Sequence, residues 1–469
     1  MKFLAAVLVS AFALQAGDWP TFRGHNSSGV AEVTNLPTEF GPEKNVIWKT
    51  PLPPGHSSPV VVGDRIYLTG FEDGKIFTFA LDRQTGKVVW RREAPRPRVE
   101  KLHESNSPTS PSAASDGRNV YVFFTDFGML SYGPDGNERW RLPLGPFNNP
   151  MGQAATPILA GDLILQPCDQ ESGSFFVAVH KDTGKVAWRV ERPDFTRGFS
   201  TPVLYRPKDG GPLQVLLAGS YRLVAYEVAT GKEVWYVRGL TWQLKPTPVM
   251  DDENIYVLGW AGEADPGQQE TVPEFAEILK QMDKNSDGKV QKAEMTIQKL
   301  AKAWDSVDLD LSGAIEERDW KLYQSKRSVV NGVNAFKLGG KGDMTEKNTL
   351  WRYSKSLPNV PSPLLYKGVL YLCKDGGILT ALDPKTGNVL KQGRITGAPG
   401  AYFTSPLGAD GKIFTISEEG KAAVIKPGAE WEVVHINDFN DSVHATPAIV
   451  DGKIYLRTHS ALYAIGNGD

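Results

Sequence analysis

Near the middle of the chain, the run Asp283-Lys-Asn285-Ser-Asp287-Gly288-Lys289-Val-Gln291-Lys-Ala-Glu294 places hard oxygen donors on alternate positions. That spacing suits Ca²⁺, which takes roughly six to eight oxygens. Asp283, Asn285 and Asp287 offer side-chain oxygens, Lys289 a backbone carbonyl, Gln291 a direct or water-borne oxygen, and Glu294 both carboxylate oxygens. Gly288 permits the sharp turn. A second run, Asp308-Leu-Asp310-Leu-Ser312-Gly313-Ala314-Ile-Glu316-Glu-Arg-Asp319, repeats the pattern, with Ala314 at the carbonyl position, but ends in Asp. The shorter carboxylate reaches less well for bidentate binding, so this site is expected to be weaker for Ca²⁺ or relatively kinder to Mg²⁺.

Both loops follow the EF-hand pattern. They begin 25 residues apart and leave 13 between them, enough for one shared helix of about 20 Å but not for separate exit and entry helices. A large opening switch is therefore not expected. A stabilising or docking role, with affinity of about 10⁻⁴ to 10⁻³ M, is. Helical periodicity over 273–282, 292–304 and 317–325 surrounds the loops.

Outside this segment the period changes to two. A Ser/Thr-Pro dyad recurs with Pro59, Pro111, Pro157, Pro202, Pro248, Pro363, Pro406 and Pro447, and only the gap from Pro248 to Pro363 is long. Each dyad leads into two alternating apolar runs around a turn, as in Ser58-Pro-Val-Val-Val-Gly-Asp-Arg-Ile-Tyr-Leu-Thr, which reads as a hairpin. Most units close on a second signature, seen in Ala80 to Trp90, Ala178 to Trp188 and Ala225 to Trp235, with Thr-Gly between the two ends. Such a unit cannot bury both faces alone, and radial packing of sheets solves that problem. The expected fold is all-β, an eight-bladed β-propeller with a small α-helical EF-hand insertion in blade 5. The segment around Val46-Ile-Trp48 is expected to complete the last blade and close the ring.

The repeat resembles the tryptophan-docking repeat of quinoprotein-like propellers, a superfamily that includes pyrroloquinoline quinone (PQQ) alcohol dehydrogenases and the lipoprotein of the outer-membrane barrel assembly machinery. Trp19-Pro-Thr-Phe-Arg-Gly24, Gly55-His-Ser-Ser-Pro59 and Arg457-Thr458 look more closely like secreted bacterial PQQ-like repeat proteins. The resemblance implies that Trp90, Trp140, Trp188, Trp235, Trp351 and Trp431 pack against a neighbouring blade's turn as core. It also raises PQQ as a cofactor, which the dehydrogenases hold between a Trp and a disulfide of adjacent cysteines. Here Cys168 and Cys373 lie in the third and sixth units. PQQ is therefore not expected, and both cysteines are read as unpaired, buried small residues.

Ligands of propellers usually bind at the mouth of the central channel. Residues just before the inner strands reach it: His56, Asn106, Gln153, Arg197, Lys245, Asn359, Tyr402 and His444 form a polar ring that either holds a small ligand or lines a wet, idle channel. No catalytic residue is assigned, because no Walker loop, dinucleotide fingerprint or Gly-x-Ser-x-Gly elbow is present.

Of 469 residues 41% are hydrophobic, and 52 basic side chains nearly balance 54 acidic ones for a net charge of −2. This excludes a disordered chain and a polybasic nucleic-acid binder. Lys2 followed by the apolar run Phe3 to Leu14 reads as a signal peptide over 1–16, too short to span a bilayer. Beyond it the reading is an arm over 17–44, propeller over 45–261 and 329–469, and the EF-hand pair over 262–328. The expected protein is a periplasmic or extracellular monomer without a transmembrane segment. It is a calcium-binding propeller that binds or scaffolds a protein, peptide or glycan. The alternative is a PQQ- and calcium-dependent alcohol or sugar dehydrogenase.

Overall fold

The computed structural model describes residues 17–468; the leader expected over 1–16 lies outside them. Eight antiparallel sheets surround an axis, the innermost strand of blade 1 touching those of blades 2 and 8. In blade 1 the strands Val60–Val62, Arg65–Glu72, Lys75–Asp82 and Val88–Ala94 follow one another outward. The inner strand is buried at every residue and reads as a continuous apolar run, whereas the outermost is largely exposed. In seven blades the dyad proline immediately precedes the innermost strand, where no ladder N–H is required. Blade 2 departs: Ser112-Ala113 holds that place before Ala114–Ser115, so Pro111 is two residues out of register.

The aromatic signature works between blades. The indole N–H groups of Trp90, Trp140, Trp188 and Trp351 donate to backbone carbonyls of Pro134, Lys181, Val228 and Pro384 in the next blade's outer turn, at 2.8–3.0 Å. Their rings cover that turn's glycine, where a Cβ would collide with indole carbons. Gly184, at φ +70°, would bring a Cβ to 2.7 Å from the Trp140 ring. Gly184→Val adds left-handed strain to overpacking and is expected to lower the unfolding free energy by about 3 kcal/mol, checked by urea denaturation.

Two positions correct the expected set. Trp431 lies in the turn before Glu432–Asp438 rather than on that strand, and its carbonyl accepts a 2.8 Å bond from Lys391, which occupies the tryptophan position of blade 6. Trp235 turns inward to Gln214 Oε1 at 2.9 Å.

Ring closure follows the sequence expectation. Val46–Pro51 pairs with Ala461–Ile465 as the outer strand of blade 8, and Trp48 Nε1 donates to Arg83 O of blade 1 at 3.1 Å. The N-terminal arm runs through the channel. It enters near the first turn of blade 1, where Gly63 N donates to Asp18 Oδ1 at 3.0 Å. Trp19 then bridges Val61, Thr21 Oγ1 donates to Pro157 O at 3.3 Å, Asn26 exchanges two bonds with Leu204, and Val30–Ala31 pairs in parallel with Leu407–Ala409. Contacts with blades on opposite sides of the axis require the arm to cross it.

The insertion leaves blade 5 after Asn254–Gly259 and returns at Gly332–Lys337. Connections between second and third strands return to the face where the dyads lie. The inserted module therefore shares a face with the channel mouth.

Candidate functional site

The dyad hydroxyls form a ring. Ser58 N donates to Ser112 Oγ, Ser112 N to Thr156 Oγ1 and Thr156 N to Thr201 Oγ1, at 2.9, 3.1 and 3.2 Å. Thr247 N donates to Ser362 Oγ, Ser362 N to Ser405 Oγ and Ser405 N to Thr446 Oγ1, at 2.9–3.0 Å. Each bond stitches one blade to the next and satisfies an N–H two residues before the inner strand, where the ladder has not begun. This is why Ser or Thr recurs in the dyad.

Above the ring opens a cavity of about 450 Å³, with Phe22 of the arm beneath it. Its wall is made by residues two before each hydroxyl, among them His56, Phe199, Lys245, Phe403 and His444. Period-two alternation explains the offset, because a residue at −2 faces the same way as the hydroxyl.

Of the polar residues expected at the mouth, His56, Asn106, Lys245, Asn359 and His444 line this cavity. Gln153 is fully buried and donates to Asp169 O at 3.3 Å. Tyr402 is buried with its hydroxyl on Ala398 O at 2.7 Å. Arg197 binds Glu171 Oε1 at 2.6 Å and lines a separate cleft, about 460 Å³, between the module and the ring. These three lie three or four residues before their hydroxyls, outside the −2 register, where a residue reaches the cavity in some blades, as Asn359 and Gln243 do, and turns away in others. Phe199 and Phe403 stand at −2 and line the cavity without the polarity that would mark them, and Gln243 reaches it from −4.

The two imidazoles are stacked, His56 on His444 with centroids 4.3 Å apart and planes within 3°, and Phe403 continues the stack 4.7 Å from His444. Burial, with help from His444, Arg457 and His459, pulls His56 down to about 3. Burial also lowers His444, against the pull of Glu418. Both rings are neutral at neutral pH. Across the channel, Lys245 Nζ donates to Asn359 Oδ1 at 2.7 Å and Gln243 Oε1 at 3.1 Å. Burial, then the charge of Arg197, brings this amine down to about 7.

In the inserted module, Val290 and Ile315 pair antiparallel and hold the two acidic loops side by side. Asp283 accepts the N–H groups of Asp287 and Gly288, and Glu294 accepts those of Lys284 and Gln291. Asn285 Nδ2 donates to Asp287 Oδ2, and Lys289 N donates to Asp287 Oδ1. In the second loop Asp308, Asp310 and Asp319 bring carboxylate oxygens within 4.8 Å of one another. Ser312 Oγ donates to Ala314 O at 3.0 Å.

The helices are Phe275–Met282, Gln298–Lys302 and Glu317–Ser328. A single shared helix between the loops is not present: Gln298–Lys302 is followed by a 3₁₀ turn at Trp304–Ser306. A straight helix would hold the loops about 20 Å apart, and the Val290–Ile315 pair forbids that separation. The second loop faces the ring, where Asn148 Nδ2 donates to Leu309 O at 2.7 Å and Arg318 Nη2 to Glu171 O at 3.1 Å.

Fold and pocket together define a closed propeller with an arm-filled axis. The chain belongs to the family described as outer membrane protein assembly factor BamB, whose model matches residues 28–166, 171–304 and 323–467. The outer membrane protein assembly factor BamB of Burkholderia pseudomallei is 27% identical over 210 residues, 42% of this chain and 47% of that protein. The match thus spans about half the relative's length. Among solved structures, BamB from Moraxella catarrhalis is 11% identical with a TM-score of 0.56, covering 90% of this chain and 99% of that one. Quinohemoprotein alcohol dehydrogenase from Comamonas testosteroni is 12% identical with a TM-score of 0.59, covering 98% and 82%. At such identities the likeness is one of fold.

The resemblance of the repeat to quinoprotein propellers raises PQQ as a cofactor. No tryptophan or cysteine lines the cavity. Cys168 and Cys373 are buried free thiols on different blades, and burial raises both. Nothing in this pocket reproduces a tryptophan and cysteine-pair sandwich, so the residues do not fit the quinone. Among the described residues no helix is long and apolar enough to cross a membrane.

Proposed function

We propose that the protein is a non-catalytic binding propeller of the periplasm or cell exterior that seats part of a protein, peptide or glycan partner in the channel mouth. The observation that carries this reading is the blind pocket. The arm fills the axis below it, the hydroxyl ring fixes its walls, and a stacked aromatic face opposes a hydrogen-bonded lysine. Apolar walls with a few placed polar groups suit ligand binding. On the wall His103 Nδ1 lies 2.8 Å from Ser105 Oγ, but the same nitrogen accepts the Ser105 N–H within one exposed turn, so the pair is read as holding that turn and not as a nucleophile with its base.

The insertion is read as a calcium-holding EF-hand pair. Asp283, Asn285, Asp287, the Lys289 carbonyl and Glu294 would hold one ion; Asp308, Asp310, Ser312, the Ala314 carbonyl and Asp319 the other. The gathered carboxylates of the second loop support an ion there.

Capture from envelope extracts tests the reading. Wild-type protein should retain a defined partner in millimolar calcium, and Ala154→Trp, which fills the mouth, should lose it. Equal recovery by both would remove the pocket from the function. The dehydrogenase alternative predicts dye reduction with PQQ and Ca²⁺ across an alcohol and sugar panel, and none is expected.

A further inference from the structure

The channel mouth is rich in hydrogen-bond donors, carries one ammonium, that of Lys245, and is lined by no carboxylate. Six dyad hydroxyls, on Ser112, Thr156, Thr201, Ser362, Ser405 and Thr446, each accept a backbone N–H. Among the described residues none of those hydroxyls donates to a protein acceptor, so each keeps a proton for the cavity. No aspartate or glutamate lines the cavity.

Behind the wall sit two wholly buried guanidiniums. Arg23, next to the Phe22 floor, donates to Pro363 O at 2.7 Å, while its Nε and Nη1 have no partner. Arg457 donates only to neutral oxygens, among them Ser57 Oγ at 2.8 Å and Thr69 O at 2.7 Å. Among the described residues neither pairs with a carboxylate; their partners are backbone carbonyls and the Ser57 hydroxyl. Burial brings both down to about 9, still charged at neutral pH. Buried cations without acids favour an anion nearby.

We propose that the channel mouth binds a small organic carboxylate, its anionic end on Lys245 and the hydroxyl ring and its flat body against the Phe403–His444–His56 stack. The inference rests on the pocket being the binding seat. A carboxylate fits better than a phosphate or sulfate dianion, because only one ammonium faces the cavity and neither guanidinium presents a fork to it.

Groups facing Lys245 determine the pH dependence: Arg197 acts on it through space, and Asn359, Gln243 and the Trp260 carbonyl are neutral. Elsewhere on the wall are His56, His444 and His103, with Glu418 beside His444 and Arg457 near His56. An anion raises the amine's pKa in the complex. Affinity is then full below the free value of about 7 and falls about tenfold per pH unit above it, until the raised value in the complex is passed.

Calorimetric titration with sodium benzoate, benzamide, sulfate and phosphate tests the proposal. Benzoate should bind one per chain, benzamide at least tenfold more weakly, and benzoate affinity should drop between pH 7.5 and 9.5. Lys245→Met should weaken benzoate at least tenfold with an unchanged thermal melt, and Lys245→Arg should restore binding while removing the pH dependence. Equal binding of benzamide, tighter binding of sulfate or phosphate, or an unaffected Lys245→Met would overturn the assignment. Loss of benzoate binding with pocket-dependent partner capture intact would sink the carboxylate alone; capture lost with benzoate binding intact would sink only the partner reading.

Discussion

A chain that begins at Leu52 should not fold cooperatively. Removing the preceding residues takes away Val46–Pro51, which leaves Ala461–Ile465 as an unpaired edge, and also the arm that fills the axis. Blade 8 then has three strands and blade 1 loses its docking indole. An exposed apolar strand edge is a template for aggregation. The expected outcome is a broad, non-coincident melt by circular dichroism and tryptophan fluorescence, with oligomers in size exclusion. Trp48→Ala isolates the closure from the arm. It deletes a ring that lies tilted against Tyr455, centroids 6.1 Å apart, and donates to Arg83 O, at a cost of about 2–3 kcal/mol in denaturant titration. A sharp two-state transition in the truncated chain would show that closure does not depend on the borrowed strand.

The dyads carried the architecture into the sequence because a proline before an inner strand and an apolar run after it are both local consequences of burial. Blade number, the place of the insertion and the closing strand were all legible on that basis. The channel wall was legible only in part. His56, Lys245 and His444 stand at −2 from their hydroxyls, the register that reaches the cavity in every blade, whereas at −3 or −4 the outcome differs between blades: Asn359 and Gln243 line it, and Gln153, Arg197 and Tyr402 do not. The hydroxyl's own purpose was hidden for a different reason: its partner is the N–H of the preceding blade, about 45 residues away in most cases, and no local pattern records it. The same non-locality hid the exchange by which Lys391 takes the tryptophan position while Trp431 moves to the facing turn. Helical period overran the link between the loops, since Val290 and Ile315 impose a pairing that the intervening residues do not encode.

Chelation should melt the inserted module while leaving the ring intact. The module rests on its own small cluster, in which Phe275, Ile278, Val290, Trp304, Ile315 and Trp320 are the main members, and a core of that size is marginal alone. Ion binding to the folded form adds RT ln(1 + [L]/Kd), about 1.4 kcal/mol per site at tenfold excess over Kd. With EDTA, amides of residues 275–323 should exchange faster and Trp304 and Trp320 emission should shift to the red, while amides of the blade strands keep their protection. The loops separate by lanthanide luminescence. Trp304 Nε1 lies 2.9 Å from Asp308 Oδ2, so terbium in the second loop has an adjacent sensitiser. Asp308→Asn with Asp319→Asn should remove most of the emission. Asp283→Asn with Glu294→Gln should spare it and lower only the stoichiometry. Emission that survives in both double variants, with module amides indifferent to EDTA, would mean that the oxygens of neither loop hold an ion and that the insertion stands on its apolar cluster and its contacts with Asn148 and Glu171.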